Sequence, residues 1–168
     1  ASAGTGTQPH MAMELLKTMS GIDIQHIPYK GVAPALTDIL GGRIDTMFVN
    51  MVSARSHVER GNLQALANSS IARSKIMPDL PTVAEAGVPG YESTIWLGIM
   101  APAGTPKPII DRLNAEITKV TSRADVREAW SKRGATAMSM TPEQFGQYMR
   151  DDIAKWAKVI TSAGIKLD

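Results

Sequence analysis

HIPYKGVAPALTDILGGRIDTMF, residues 26–48, changes its periodicity twice within a short span. Ile22 to Tyr29 reads as a short strand ended by the Pro28-Tyr29-Lys30-Gly31 turn, and Pro34 opens a helix that closes at Gly41-Gly42. Arg43 to Phe48 then reads as the next strand. Strand, helix and strand in succession predict an α/β fold with mainly parallel sheets covered on both faces. Upstream, Met11, Ala12, Leu15, Leu16 and Met19 recur at helical spacing, and Gly21 follows as a left-handed stop, so the reading expects a helix over Gln8 to Met19. Downstream it expects a helix over Ser53 to Arg60, stopped by Gly61, and a strand over Leu63 to Ser69.

The rhythm breaks between Arg73 and Gly90, where Pro78, Pro81, Pro89, Gly87 and Gly90 leave room for only a short helix near Thr82 to Ala86. This is the expected connector. Beyond it, Tyr91 to Met100 reads as a buried strand, and Pro102 to Pro106 turns the chain into a helix carrying Ile109, Ile110, Leu113, Ile117 and Val120. A shorter helix, Ala124 to Arg133, and a strand, Ala135 to Met140, follow. Thr141-Pro142-Glu143-Gln144 combines a threonine cap, a first-turn proline and a glutamine placed to close a capping box; the helix it starts runs to about Ala163.

The 18 basic and 16 acidic side chains are interspersed along the chain, which argues against nucleic acid as a partner. With no cysteine there is no disulfide framework, thiolate metal site or thiol nucleophile. Apolar stretches such as Ile95 to Ala101 are too short to cross a bilayer, and no signal-peptide series opens the chain. Ala1 to Thr7 looks like the end of a strand running into a glycine turn, so further residues are expected before it.

Ligands in α/β folds sit at the carboxyl ends of strands, which directs attention to three places. Ser2-Ala3-Gly4-Thr5-Gly6-Thr7 leads into a helix, where small residues let backbone N–H groups converge on an anion and the hydroxyls of Ser2, Thr5 and Thr7 add donors. A plain cap and turn fits the spacing equally well. Pro28-Tyr29-Lys30-Gly31 offers a phenol and an ammonium at a second strand end, although an ordinary surface turn has the same composition. Asn50 lies just beyond the strand ending at Phe48. His10, His26 and His57 have no metal-ligand spacing, so no metal or cofactor is expected, and His10 reads as a capping or structural side chain more readily than as a general base. A hydrolase would need a nucleophile; there is no Gly-x-Ser-x-Gly elbow, and Ser2 with His10 and some carboxylate is a triple that any globular chain supplies.

GTGTQPHMAMELLK, HIPYKGVAPALTDILGGRIDTMF, LPTVAEAGVPGYE, APAGTPKPIIDRLN and the terminal ITSAGIKLD, in this order, closely resemble the tripartite tricarboxylate transporter substrate-binding family, the TctC or Bug receptors of bacterial periplasms. The resemblance covers nearly the whole chain. It implies a type II periplasmic-binding-protein-like α/β fold: two lobes joined by crossing strands, closing on an organic anion, with no covalent step. It implies a receptor, not an enzyme, that captures a di- or tricarboxylate or related acid for membrane transporter subunits. By motif, Ser2 to Thr7 with His10 matches the family's binding turn, Pro28 to Gly31 its second loop, and Asn50 lies in the less regular third loop. Val49 stands where many relatives carry aspartate, which argues against amine recognition. The family also begins with a signal peptide and a further first-lobe segment that have no counterpart here. Residues 1–90 are therefore expected to form the second lobe with its connector, and residues 91–168 the return segment of an incomplete first lobe. Such a segment would expose apolar faces, and two readings stay open: self-association of copies through them, or removal of the residues that would cover them. The alternatives are a hydrolase acting on a small carboxylate ester or amide, and an effector domain of a transcription regulator, for which no helix-turn-helix is encoded.

Overall fold

The computed structural model describes residues 1–165, so Lys166 to Asp168 of the terminal ITSAGIKLD stretch lie outside the described residues. Two compact units divide the chain: Ala1–Ile95 together with the stretch from Trp156 onward, and Trp96–Lys155.

In the first unit, α1 (Gln8–Ser20) starts after Thr7 with proline in its first turn and stops at Gly21, whose φ of 71° is the left-handed conformation expected there. Its burial does not follow one face. His10, Met11, Ala12, Met13 and Glu14 are all buried, whereas Leu15 and Leu16 are half-buried and Met19 is exposed, so the helix is sunk at its amino end and emerges at its carboxyl end. α2 (Val32–Leu40) begins before the expected Pro34, directly after Gly31, and closes at Gly41. α3 (Met51–Glu59) likewise starts early, because Asn50 caps it by accepting the Ser53 N–H at 2.9 Å. Ala1, Ala35 and Ile44 form a small core with Tyr29, Ile39 and Met47 packed on it. Tyr91, only 1% exposed, stacks near Phe48 and donates its hydroxyl to the Ala12 carbonyl at 2.8 Å, which ties the end of the connector to α1.

The short helix expected near Thr82 is reduced to one turn. Thr82 and Glu85 still close a capping box, with Thr82 N–H to Glu85 Oε2 at 2.8 Å and Glu85 N–H to Thr82 Oγ1 at 3.1 Å. Gly87 then ends the turn before a costly nucleus could be extended.

In the second unit, α4 (Lys107–Thr121) and α5 (Ala124–Ser131) contribute no buried residue, and Ile109, Leu113, Val120 and Trp130 are exposed. The last helix, α6 (Pro142–Ala163), opens on the expected reciprocal box: Thr141 N–H to Gln144 Oε1 at 2.9 Å and Gln144 N–H to Thr141 Oγ1 at 3.2 Å. Trp96 packs edge-on against Phe145 and Tyr148 and donates its indole N–H to Asp152 at 2.8 Å.

The expected strands are the main departure. Among the described residues there is no extended ladder; pairing is limited to single parallel bridges, Ser2 with Pro28 and Asn68 with Thr82, and one antiparallel bridge, Ser74 with Met77. No backbone N–H from Thr94 to Ala101 finds an acceptor among the described residues, and Leu97 is 96% exposed. A strand needs a neighbour at matched register about 4.8 Å away, and hydrophobic pattern alone does not supply one.

Candidate functional site

Two of the three expected loops meet. Ser2 N–H donates to the Ile27 carbonyl at 3.2 Å, Tyr29 N–H to the Ser2 carbonyl at 3.1 Å and Gly31 N–H to the Ala3 carbonyl at 3.1 Å. This short parallel pairing lays Ser2 to Thr7 alongside Pro28 to Gly31 at the amino end of α1, where unpaired helical N–H groups and the helix dipole favour an anion. The turn needs its glycines. Gly4 has φ of 137° and Gly6 of 75°, and a Cβ on Gly4 would stand 3.4 Å from the Tyr29 carbonyl oxygen.

The hydroxyls divide in a way that spacing did not show. Ser2 is fully buried; its Oγ accepts the Gly4 N–H at 3.1 Å, lies 3.0 Å from the Gly4 carbonyl and contacts His26 Nε2 at 2.6 Å. Thr7 donates to the Gly4 carbonyl at 2.7 Å. Both therefore brace the turn from within, while Thr5 and Gly6 form its exposed tip. Tyr29 also turns aside: its hydroxyl donates to Asp38 at 2.7 Å, and Arg43 Nε donates to the same carboxylate at 2.9 Å. Those bonds hold the Asp38 carboxyl below its ordinary range, through Arg43 first and Tyr29 second, and push the Tyr29 phenol up. Pro28 and Lys30 are exposed at the lip, and Gly31 takes φ of 114° as the cap of α2. Asn50 is exposed at the start of α3 with its carboxamide oxygen committed to the Ser53 N–H, and no hydrogen bond joins it to either loop among the described residues.

His10 does not face outward. It is 5% exposed, its Nδ1 accepts the Gly6 N–H at 3.0 Å, and its Nε2 lies 3.8 Å from Glu14 Oε1. Its ring stacks on His26 with centroids 3.7 Å apart and planes 11° from parallel. Burial lowers both imidazoles below their ordinary value of 6.5. His26, read in the sequence only as a strand residue, is thus part of the site's support, as are Gln8 and Ser93: Gln8 Nε2 donates to the buried Ser93 Oγ at 2.9 Å. The signal for His26 was its place two residues before the Pro28 turn; Gln8 and Ser93, far apart in sequence, gave none. No group of three or more His, Asp or Glu side chains suited to a metal occurs among the described residues.

The chain has the fold of a type II periplasmic-binding-protein-like chain, and solved structures of such proteins superpose on it. An R. palustris protein with adipate superposes at a TM-score of 0.85 with 36% identity, over 95% of this chain and 54% of that one. The periplasmic binding protein BugD superposes at 0.79 with 32% identity, over 94% and 54%. MatC from Rhodopseudomonas palustris, with bound malate, superposes at 0.73 with 31% identity, over 90% and 53%.

Residues 1–165 match the family described as the tripartite tricarboxylate transporter family receptor, TctC, and the chain belongs to that family. BugT of Bordetella pertussis is 40% identical over 96% of this chain, which spans 50% of BugT. A protein of the clcB-clcD intergenic region of Pseudomonas knackmussii is 31% identical, with 94% of each chain covered. The chain thus spans about half the length of BugT and of the solved relatives, and nearly all of the Pseudomonas knackmussii protein.

Proposed function

We propose that the chain acts as an extracytoplasmic solute-binding receptor, capturing a small organic di- or tricarboxylate or related acid for a tripartite tricarboxylate-type transporter. The observation that carries the reading is the docking of Ser2–Thr7 against Pro28–Gly31 at the start of α1, which leaves an exposed glycine tip at a helix amino end. Family membership and the adipate and malate held by structural relatives support the same class of ligand. In this reading residues 1–90 belong to the second lobe, and residues 91–168 to the return segment of the first. The ligand contacts come from the backbone N–H groups of Ala3 and Thr5, the Thr5 hydroxyl and the Lys30 ammonium, while the Gly4 and Gly6 N–H groups are held by Ser2 and His10. Ser2, Thr7, His10 and Tyr29 act behind them by holding the loops in shape, and Asn50 caps α3.

The partners are membrane transporter subunits, and the location is the periplasm, where relatives of this family work. No helix among the described residues is long and apolar enough to cross a membrane. Copies of the chain associate through the exposed Ile95, Leu97, Ile99 and Met100.

A hydrolytic role lacks its geometry. Ser2 contacts His26 rather than His10, it is shielded from any substrate, and its hydroxyl is already engaged with Gly4.

Thermal unfolding in the presence of adipate, malate, citrate and amino acids tests the proposal. The melting temperature should rise with the concentration of a di- or tricarboxylate and stay constant with amino acids, since only binding to the native state stabilises it. Ester hydrolysis that vanishes in Ser2→Ala, without any carboxylate-dependent shift, would overturn it.

A further inference from the structure

We propose that His10, backed by His26, is the positioning residue that holds the anion turn in its binding shape, and that it does so only while neutral, so that acidification releases the turn and weakens capture. The inference rests on the receptor reading for its ligand, but its physical core concerns the turn itself.

Gly6 N–H donates to His10 Nδ1 at 3.0 Å, so that nitrogen carries a lone pair and the imidazole proton sits on Nε2, toward Glu14 Oε1 at 3.8 Å. A second proton can enter only at Nδ1. There it would point at the Gly6 N–H, turning an acceptor into a donor facing a donor, and the exposed tip of the turn would have to move. His10 cannot swing away to avoid this: it is buried, and the His26 ring lies flat on it at 3.7 Å. His26 is fixed in turn by Ser2 Oγ at 2.6 Å, so the stack connects the turn's first residue to its tip.

The charges facing the pair come from α1 and from the chain start. Glu14 favours protonation of both rings, while Lys17, paired with Glu14 at 3.0 Å, opposes it. His10 and the Ala1 amino group also oppose protonation of His26. Neither ring gains a carboxylate within hydrogen-bond distance, so the neutral stack is the native state above the lowered midpoints.

Capture that requires neutral His10 loses affinity in proportion to the neutral fraction, about tenfold per pH unit below the midpoint. The test follows the histidine Cε1–H and Gly6 amide resonances of the chain from pH 8 to pH 4.5, with adipate and malate affinities measured over the same range. The Gly6 amide should move with the His10 midpoint, that midpoint should lie below 6.5, the ordinary value, and affinity should fall along the same curve. In His10→Asn the amide oxygen takes the place of Nδ1 without titrating, so the change in affinity between pH 7 and pH 5 should shrink to about twofold or less. A Gly6 amide indifferent to His10 protonation, or affinity that rises on acidification, overturns the inference. If neither acid binds at pH 8 while the Gly6 amide still follows His10, the ligand reading fails and the coupling stands.

Discussion

Gly4 and Gly6 occupy backbone conformations that side chains rarely adopt, and between them lies the exposed Thr5. The turn therefore depends on residues chosen for what they lack. Gly4→Ala introduces a Cβ at φ of 137° that stands 3.4 Å from the Tyr29 carbonyl oxygen. We expect it to cost about 1–3 kcal/mol in urea unfolding and to weaken carboxylate binding, because a side chain is strained at this φ and relief changes the shape of the turn, the 3.4 Å approach itself being an ordinary contact. Gly42→Ala serves as the control: its φ of 69° is also left-handed, but a Cβ there meets nothing within 4 Å. Equal effects of both on binding would mean that general backbone strain, and not the shape of this turn, accounts for the loss. At this scale the sequence showed which residues crowd the site but not which way they point. Composition marked Ser2, Thr7 and Tyr29 as donors, whereas each spends its hydrogen on the protein: Thr7 on Gly4, Tyr29 on Asp38, and Ser2 between Gly4 and His26. Direction of a hydroxyl is set by tertiary neighbours, which no local pattern records.

At the scale of elements, helices were legible because caps and periodicity are local. Thr141 and Gln144 bond reciprocally as their spacing demanded, and α6 runs from Pro142 to Ala163. Thr141→Ala should cost about 1 kcal/mol and speed amide exchange in the first turn of α6 without altering α4, a difference that hydrogen exchange resolves by residue. Exchange unchanged in that first turn would deny the box its role. The starts of α2 and α3 were read late because Pro34 and Ser53 drew attention from the true caps, Gly31 and Asn50. Strands fared worse for a physical reason. Alternation and apolar content mark Tyr91 to Met100 as suited to a sheet, but a ladder is a property of two segments, and its partner must be in place. Among the described residues parallel pairing is confined to two single bridges, Ser2 with Pro28 and Asn68 with Thr82.

For the molecule as a whole, stability should follow pH in two stages. His10 and His26 have folded midpoints below the ordinary 6.5, so the unfolded chain binds more protons between those values and stability rises with pH there. Their contribution is complete above about pH 6.5 and is lost as pH falls toward the lowered midpoints. Asp38, Glu85, Asp125 and Glu143 are held below their ordinary values, chiefly by hydrogen bonds to Arg43, the Thr82 backbone, Arg123 and the Glu143 backbone respectively. Their support persists to lower pH and goes as pH falls through the folded carboxylate midpoints. A melting-temperature profile with a first decline below pH 6.5 that flattens in His10→Asn, and a second near the carboxylate range that does not, is the expected result. A single acid step shared by both proteins would contradict it.

Exposure of Leu97 at 96%, with Ile99 at 73%, also has a consequence for the whole molecule. Sedimentation of the chain should show association that grows with concentration, and Leu97→Glu should shift it toward monomer; identical profiles would place the contact elsewhere. From Thr94 to Ala101 the sequence reads TIWLGIMA, with neither proline nor charge to interrupt it and no backbone partner for its amides among the described residues. Such a stretch is a template with two usable edges. Adding one copy would cover one edge and present another like it, so the expected course of association is growth and not closure into a pair. Light scattering from concentrated solutions would then show a lag that preformed seeds abolish, and a single charge set into the run would act as a chain terminator.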